Sequence, residues 1–241
     1  MRNLLLLSTS TVHGSSFLEY CLSEVEKHFS GLSEILFIPY ARPGGISHSD
    51  YTEIVEKALA RINIEVVGIH ELDDIRKEIG EFKGIYIGGG NTFLLIQSLY
   101  SNGLIPIIRD MVVNKGVRYM GSSAGTNVAC STINNTNDMP IVHPPSFDAL
   151  KLIPFNINPH YLDPVVGSKH MGETRETRIK EFHFQSAIPV LGLREGSWLK
   201  IEGEKIALGG GLPARLFERN KDAREILDSD ELNYLLKARQ N

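Results

Sequence analysis

Gly121-Ser122-Ser123-Ala124-Gly125 follows a short apolar run from Val117 to Met120 and gives way to helix formers. The pattern is G-x-S-x-G on Gly121, Ser123 and Gly125, a strand, a sharp turn and a helix. Such an elbow lifts the Ser123 hydroxyl above a sheet edge, and its glycines permit the strained backbone. A serine has too high a pKa to attack unaided, so it needs a general base within hydrogen-bond reach and a third group to orient that base. The motif alone recurs by chance in Gly-Ser turns that do no chemistry, so its surroundings matter. One neighbour in type is Gly84-Ile85-Tyr86-Ile87-Gly88-Gly89-Gly90-Asn91-Thr92-Phe93, a second strand that runs into glycines and then into a helix that Asn91 or Thr92 can cap. Backbone N–H groups in such a turn can stabilise an oxyanion or cradle a phosphate. Another is Ile157-Asn158-Pro159-His160, a histidine in a non-helical segment after a proline. Serine, oxyanion donors and histidine are the parts of a hydrolase.

Five motifs carry a resemblance to a known family: G-S-S-A-G-T-N from Gly121, G-G-G-N-T-F from Gly88, T-N-D-M-P from Thr136 to Pro140, N-P-H ending at His160, and G-E-T-R from Gly172 to Arg175. In order and spacing they resemble the peptidase E family of α-aspartyl dipeptidases, from the opening L-L-L-L-S to about Leu208. The resemblance implies a place in the class I glutamine amidotransferase-like superfamily, with a three-layer α/β sandwich and the nucleophile on an elbow. It also implies a serine exopeptidase that hydrolyses Asp-X dipeptides through an acyl-enzyme. Cyanophycinase-like cleavage of an aspartyl polymer shares the elbow and the G-G-G-N turn. A catalytically silent binding protein is the alternative from another class.

Eight histidines are available. His13, His28, His48 and His70 fall in loops or at element ends, His170 lies in a polar loop, and His183 sits late in a helix, where the helix dipole favours it. The N-P-H match selects His160, with His143 as the second choice. The resemblance implies that both Asp138 and Glu195 reach the pocket, and either could be the charge-relay acid. Glu195 is preferred for orienting His160, because the end of a buried strand holds a side chain more rigidly than an Asn-rich turn. Asp138 then supports the elbow or receives the substrate's α-amino group; its bland alternative is an Asx-turn. An N–H of Gly88, Gly89 or Gly90, beside Asn91, together with that of Ala124 would hold the oxyanion. A substrate with an N-terminal aspartate also needs a cation for its side chain. Arg175 is the family-matched candidate, since a planar guanidinium binds both oxygens, and Arg178 is the second choice. Pairing of Arg175 with Glu173 or Glu176 on the surface is the bland alternative. The order Ser, His, Glu disfavours an α/β-hydrolase, where the histidine comes last.

The elements that must bring these groups together are legible in outline. Leu4 to Leu7 is a buried first strand, too short an apolar run for a signal peptide. Phe17 to Phe29 has helical spacing, Ile35 to Ile38 is a strand, a helix runs from about Asp50 to Arg61 with Ser49 as its cap, and Ile64 to Ile69 is the third strand. After a charged helix over Leu72 to Ile79 come the strand Gly84 to Ile87, helices over Thr92 to Leu99 and Ile105 to Val113, and the strand that carries the serine. This alternation of nearly continuous apolar strands with helices predicts an α/β fold with a mostly parallel sheet covered on both faces, and active sites in such sheets lie at the carboxyl ends of the strands. The stretch from Thr132 to His160 is irregular with a short strand near Leu152 to Phe155, and long loops of this kind tend to be functional. A helix over Glu173 to Phe184, a strand over Val190 to Leu193, a hairpin from Trp198 to Leu208 and a helix from about Asp230 to Arg239 complete the chain. Residues 1–241 are expected to form a single α/β peptidase domain.

Composition agrees with that outline. The 241 residues are 42% hydrophobic and 22% charged, enough for one sizeable core. A net charge of −4 leaves no basic footprint for nucleic acid and no polybasic helix for a membrane surface, so a small peptide is the expected partner. Two widely separated cysteines, Cys21 and Cys130, and the absence of a dense His/Cys cluster point to no metal and no cofactor. With no export signal and no apolar stretch of about 18 residues, a cytoplasmic location with reduced cysteines is expected. Monomer and homodimer are both left open.

Overall fold

A computed structural model describes residues 2–164, 167, 171–227 and 229–237. The first half of the chain runs through β1 (Asn3–Leu7), α1 (Leu22–His28), β2 (Glu34–Ile38), α2 (His48–Leu59), β3 (Glu65–Gly68), α3 (Ile75–Glu78), β4 (Gly84–Ile87), α4 (Thr92–Ser101), α5 (Leu104–Val113), β5 (Arg118–Ser122) and α6 (Ala124–Ala129). The second half adds β6 (Asn156–Pro159), α7 (Arg175–Gln185), β7 (Val190–Leu193), β8 (Trp198–Glu202), β9 (Lys205–Gly209), β10 (Ala214–Phe217), β11 (Arg224–Ile226) and a 3₁₀ stretch, Ser229–Lys237.

Two sheets result. The larger has the order β3-β2-β4-β5-β1-β8-β9 and the smaller the order β11-β10-β7-β6. In the larger sheet the pairs from β3 to β1 are parallel, and β8 and β9 are added antiparallel. The run of leucines in β1 shows why such strands are apolar throughout. Leu4 and Leu6 face one layer with Leu36, Ile38, Ile85, Ile87 and Tyr119, packed on Ile96, Ile108 and Val128. Leu5 and Leu7 face the other with Ile35, Phe37, Tyr86 and Met120, packed on Val25, Tyr51 and Val55. Successive side chains point to opposite faces, and helices cover both, so every position is buried. The first layer continues without a break into the smaller sheet through Ile157, Leu191, Leu193 and Leu216.

Several boundaries differ from the sequence expectation for identifiable reasons. Leu18 adopts φ 57° and donates its N–H to Ser10 O, so a 3₁₀ turn, Glu19–Cys21, precedes α1 in place of one long helix. The α2 helix starts two residues earlier than a Ser49 cap would allow, because Ser47 and Asp50 form a reciprocal capping box. Leu152 to Phe155 is buried but bent, its N–H groups at Leu152 and Ile153 bonded to Ala129 O, and the strand follows at β6. The predicted C-terminal helix is wound as 3₁₀ turns to Lys237; Arg239 and the loop residue His170 lie outside the described residues. No helix among the described residues is long and apolar enough to cross a membrane.

Candidate active site

The elbow is built by close approach. A Cβ on Gly125 would land on the Ile87 carbonyl oxygen, and one on Gly121 would meet the Gly125 carbonyl, so neither position admits a side chain. Tyr119 Oη donates to that Gly125 carbonyl at 2.6 Å. Ser123 sits between them with φ 52° and ψ −109°, a conformation non-glycine residues rarely adopt. Its N–H donates to Leu7 O at 3.1 Å, and Thr126 Oγ1 donates to the same carbonyl at 2.7 Å, so the end of β1 holds the turn. Ser122 points the other way, fully buried with its Oγ 2.9 Å from Tyr86 Oη.

His160 and Glu195 arrive from the smaller sheet. β6 and β7 run parallel with Pro159 opposite Leu193, so His160 and Glu195 emerge side by side at the carboxyl ends of both strands. His160 Nε2 lies 2.9 Å from Ser123 Oγ, and His160 Nδ1 lies 2.6 Å from Glu195 Oε1. The ring and the carboxylate keep 36% and 53% of their side-chain surface exposed, so the relay is open to solvent. His143 is exposed and has no hydrogen bond or ion pair with the relay residues.

β6 is an edge strand, and the Asn-rich segment before it covers its free edge. Asn135 Nδ2 donates to Ile157 O, Asn137 Nδ2 to Pro159 O, and Asn156 Oδ1 accepts the Thr132 N–H. From the strand, Asn158 Nδ2 donates to Asn135 O and Asn137 Oδ1. These side chains stand in for a backbone ladder and satisfy polar groups that burial would otherwise leave unpaired.

On the opposite side of Ser123, a Cβ on Gly89 would lie 3.7 Å from its Oγ. The N–H groups of Gly88 and Gly89 are engaged within the fold, by Ile38 O at 3.2 Å and by Tyr51 Oη at 3.0 Å. Of the three glycines in the turn, only Gly90 keeps an N–H without a partner among the described residues, and the N–H of Ala124, at the start of α6, is likewise unpaired. The oxyanion expectation therefore narrows to Gly90 and Ala124. Asn91 caps α4 by accepting the Leu94 N–H, and its Nδ2 holds Met139 O. Asp138 lies at the same helix start and is not part of the relay. Its Oδ2 accepts the Thr92 N–H at 2.7 Å, and Thr92 Oγ1 accepts in turn from Asn127 Nδ2 on α6, so this carboxylate braces the helix behind the elbow.

Arg175 opens α7 behind its Thr174 cap. It is half-buried and has no hydrogen-bonded or ion-paired partner among the described residues, whereas Arg178 stands 3.7 Å from Glu173 and Glu176 is held by Arg215 and Lys180. Partial burial lowers the Arg175 pKa, the Arg178 charge adds to that, and Asp138 opposes it. The surface pair with Glu173 or Glu176 is thus taken by other cations. A cavity of about 500 Å³ bounded by Ser131, Lys151, Gln185 and Tyr234 is lined by none of these residues, so the site is located by its chemistry and not by depth. Among the described residues no three His, Cys, Asp or Glu side chains converge as a metal would require. Sequence reasoning gave no role at the site to Ser8, Tyr51 and Asn127 and saw Thr92 only as a helix cap; all four are buried, and a polar group within or beside an apolar run is the one signal that could have singled out Ser8 and Asn127.

The family model of peptidase family S51 matches residues 4–209. The chain is 48% identical to peptidase E of Streptomyces coelicolor over 98% of this chain and 96% of that protein. It is 46% identical to a Drosophila melanogaster protein described as a probable alpha-aspartyl dipeptidase, covering 98% of each. The crystal structure of a peptidase from an acI-B1 Actinobacterium superimposes with a TM-score of 0.68 at 17% identity over 95% of this chain and 96% of that one, a likeness of fold. With its elbow, its Ser–His–Glu relay and this near full-length similarity, the chain belongs to peptidase family S51.

Proposed function

We propose that the protein is a serine dipeptidase that hydrolyses Asp-X through an acyl-enzyme. The observation that carries the reading is the continuous relay from Glu195 Oε1 through His160 to Ser123 Oγ, at 2.6 and 2.9 Å. Ser123 Oγ attacks the peptide carbonyl as its proton passes to His160 Nε2. Glu195 accepts from Nδ1–H, fixes the tautomer and stabilises the imidazolium. Negative charge on the carbonyl oxygen is met by the N–H groups of Gly90 and Ala124. His160 then returns the proton to the leaving amine, and the same imidazole deprotonates the water that releases aspartate from Ser123.

Arg175 receives the side-chain carboxylate of the N-terminal aspartate. An unpaired, half-buried guanidinium is costly until an anion fills its fork, and Asp138 on the same side is available for the α-amino group through Oδ1, which carries no bond among the described residues. The reading also takes the enzyme to be cytoplasmic, in keeping with the buried, unpaired Cys21 and Cys130.

The test compares Asp-Leu with Asn-Leu, Glu-Leu, Leu-Leu and acetyl-Asp-Leu, in the wild type and in Arg175→Met. Asp-Leu is the preferred substrate of the wild type, and blocking the amine abolishes turnover. Arg175→Met loses roughly 10²-fold in kcat/KM on Asp-Leu, the size of a lost charge-assisted bidentate contact, with little gain on Asn-Leu. A variant that kept the wild-type Asp-Leu to Asn-Leu ratio would remove Arg175 from the site and pass the role to Arg178.

A further inference from the structure

The nucleophile stands on the larger sheet, and its base and acid stand on the smaller one. Something must hold the two in register at the one place where they meet. Ser8, the residue after β1, is fully buried, and its hydroxyl makes one bond in each direction. It accepts the His160 N–H at 2.9 Å and donates to Leu193 O at 2.7 Å. Its own N–H donates to Ser197 O at 3.0 Å. Leu193 and Ser197 bracket the turn that presents Glu195, so Ser8 grips that turn at both ends.

His160 needs such a grip. It has φ 53° and follows a proline that has no N–H to offer a ladder. Non-glycine residues occupy that region only where neighbours over-determine it. Here Ser8 Oγ takes its N–H and Leu193 O takes the next one, from Tyr161, at 3.1 Å. One residue earlier, Leu7 O takes the N–H of Ser123. The dipeptide Leu7-Ser8 therefore touches the backbone at or beside every member of the relay.

We infer that Ser8 is a positioning residue for catalysis, its hydroxyl setting the imidazole of His160 and the carboxylate of Glu195 against Ser123. This deepens the serine-peptidase reading and rests on it. Ser8 meets no substrate and acts only through the relay. Its removal therefore affects proton transfer and leaves the Asp-X site formed by Arg175 and Asp138 intact.

The experiment takes Ser8→Ala and Ser8→Cys, with Ser123→Ala alongside. For each, kcat and KM on Asp-Leu, the thermal unfolding midpoint and the far-downfield proton signal of His160 Nδ1–H shared with Glu195 are measured. Ser8→Ala is expected to lose roughly 10- to 100-fold in kcat, as a small misplacement of a reacting group costs. Its KM stays within about threefold, as for an interaction made only in the transition state, and the Nδ1 proton signal shifts or broadens. Ser8→Cys, close in size but a weaker hydrogen-bonder, falls between. A purely structural role lowers the midpoint and leaves kcat at 25 °C and the proton signal unmoved, and that result in a folded variant overturns the inference. Should Ser8→Ala fail to fold, Ser8→Cys decides by the same two readings. Activity surviving in Ser123→Ala would sink the relay itself, whereas an inactive Ser123→Ala beside a fully active Ser8 variant sinks only the role of Ser8.

Discussion

One peptide bond separates Ser122, whose hydroxyl is buried against Tyr86, from Ser123, whose hydroxyl meets His160. Ser123→Ala removes the attacking group and nothing the fold uses, so activity on Asp-Leu should fall by roughly 10³-fold or more at an unchanged unfolding midpoint. Ser122→Ala leaves the buried Tyr86 hydroxyl without its partner and costs about 1–3 kcal/mol of stability, with kcat close to wild type. The reverse pattern in the two variants would shift the elbow by one residue. The acids separate in the same way. Glu195→Gln should lower kcat by orders of magnitude with KM little changed, because the tautomer and the transition-state charge of His160 are both disturbed. Asp138→Asn, which loosens α4 and the amine site, acts mainly on KM; equal kcat losses in both would sink this division. The hydrogen-bonded chain of Ser123, His160 and Glu195 was legible because a relay of that kind needs those residue types near turns. That the N–H groups of Gly88 and Gly89 are taken up within the fold was not, since it depends on Ile38 O meeting the first and on Tyr51 reaching across from α2 to bond Gly89 at both its N–H and its C=O.

Among the elements, the helices and parallel strands up to α6 followed from periodicity, and β6 did not. Its sequence, Asn-Ile-Asn-Pro, looks like loop because alternate residues are polar amides. It is a buried strand because the segment from Thr132 to Asn137 meets both amides, Asn156 through Thr132 and the Asn158 Nδ2 through Asn135 and Asn137. Two segments that looked irregular apart therefore order one another. Asn158→Ala should show the coupling. It leaves Asn135 O and Asn137 Oδ1 unanswered in a buried place, for about 1–3 kcal/mol of lost stability in a urea titration. Because β6 carries His160, kcat should drop as well. A variant as stable as wild type would mean the ladder is decoration.

At the scale of the whole molecule, the sequence showed one sheet and the structure has two. β10, Ala-Arg-Leu-Phe, and β11, Arg-Glu-Ile, went unseen because charged residues interrupt their apolar pattern, and they are fixed by tertiary ties such as Arg215 to Glu225 and Arg194 to both Asp163 and Glu225. A buried histidine couples the larger sheet to pH. His28 is 2% exposed beside Phe29, and burial, with the charges of Arg118 and Lys200, pushes its pKa down to about 3. The unfolded chain binds this proton near pH 6.5 and the folded one does not, so its contribution is absent above that pH. Below it, stability falls by up to ~1.4 kcal/mol per pH unit until about pH 3. His28→Leu should flatten the urea midpoint between pH 6 and 4 relative to wild type, and an identical slope in both proteins would clear His28. The place of β1 has a consequence for how the enzyme comes into being. Leu4 pairs in register with Tyr119 on one side and Ile201 on the other, both over a hundred residues downstream. The strand that holds the elbow and the relay thus leaves the ribosome long before anything it pairs with. β1 can be flanked on both sides only once β5 and then β8 have been made. Contacts so distant in sequence fold slowly, so seating β1 between β5 and β8 is expected to be a slow step in forming the site.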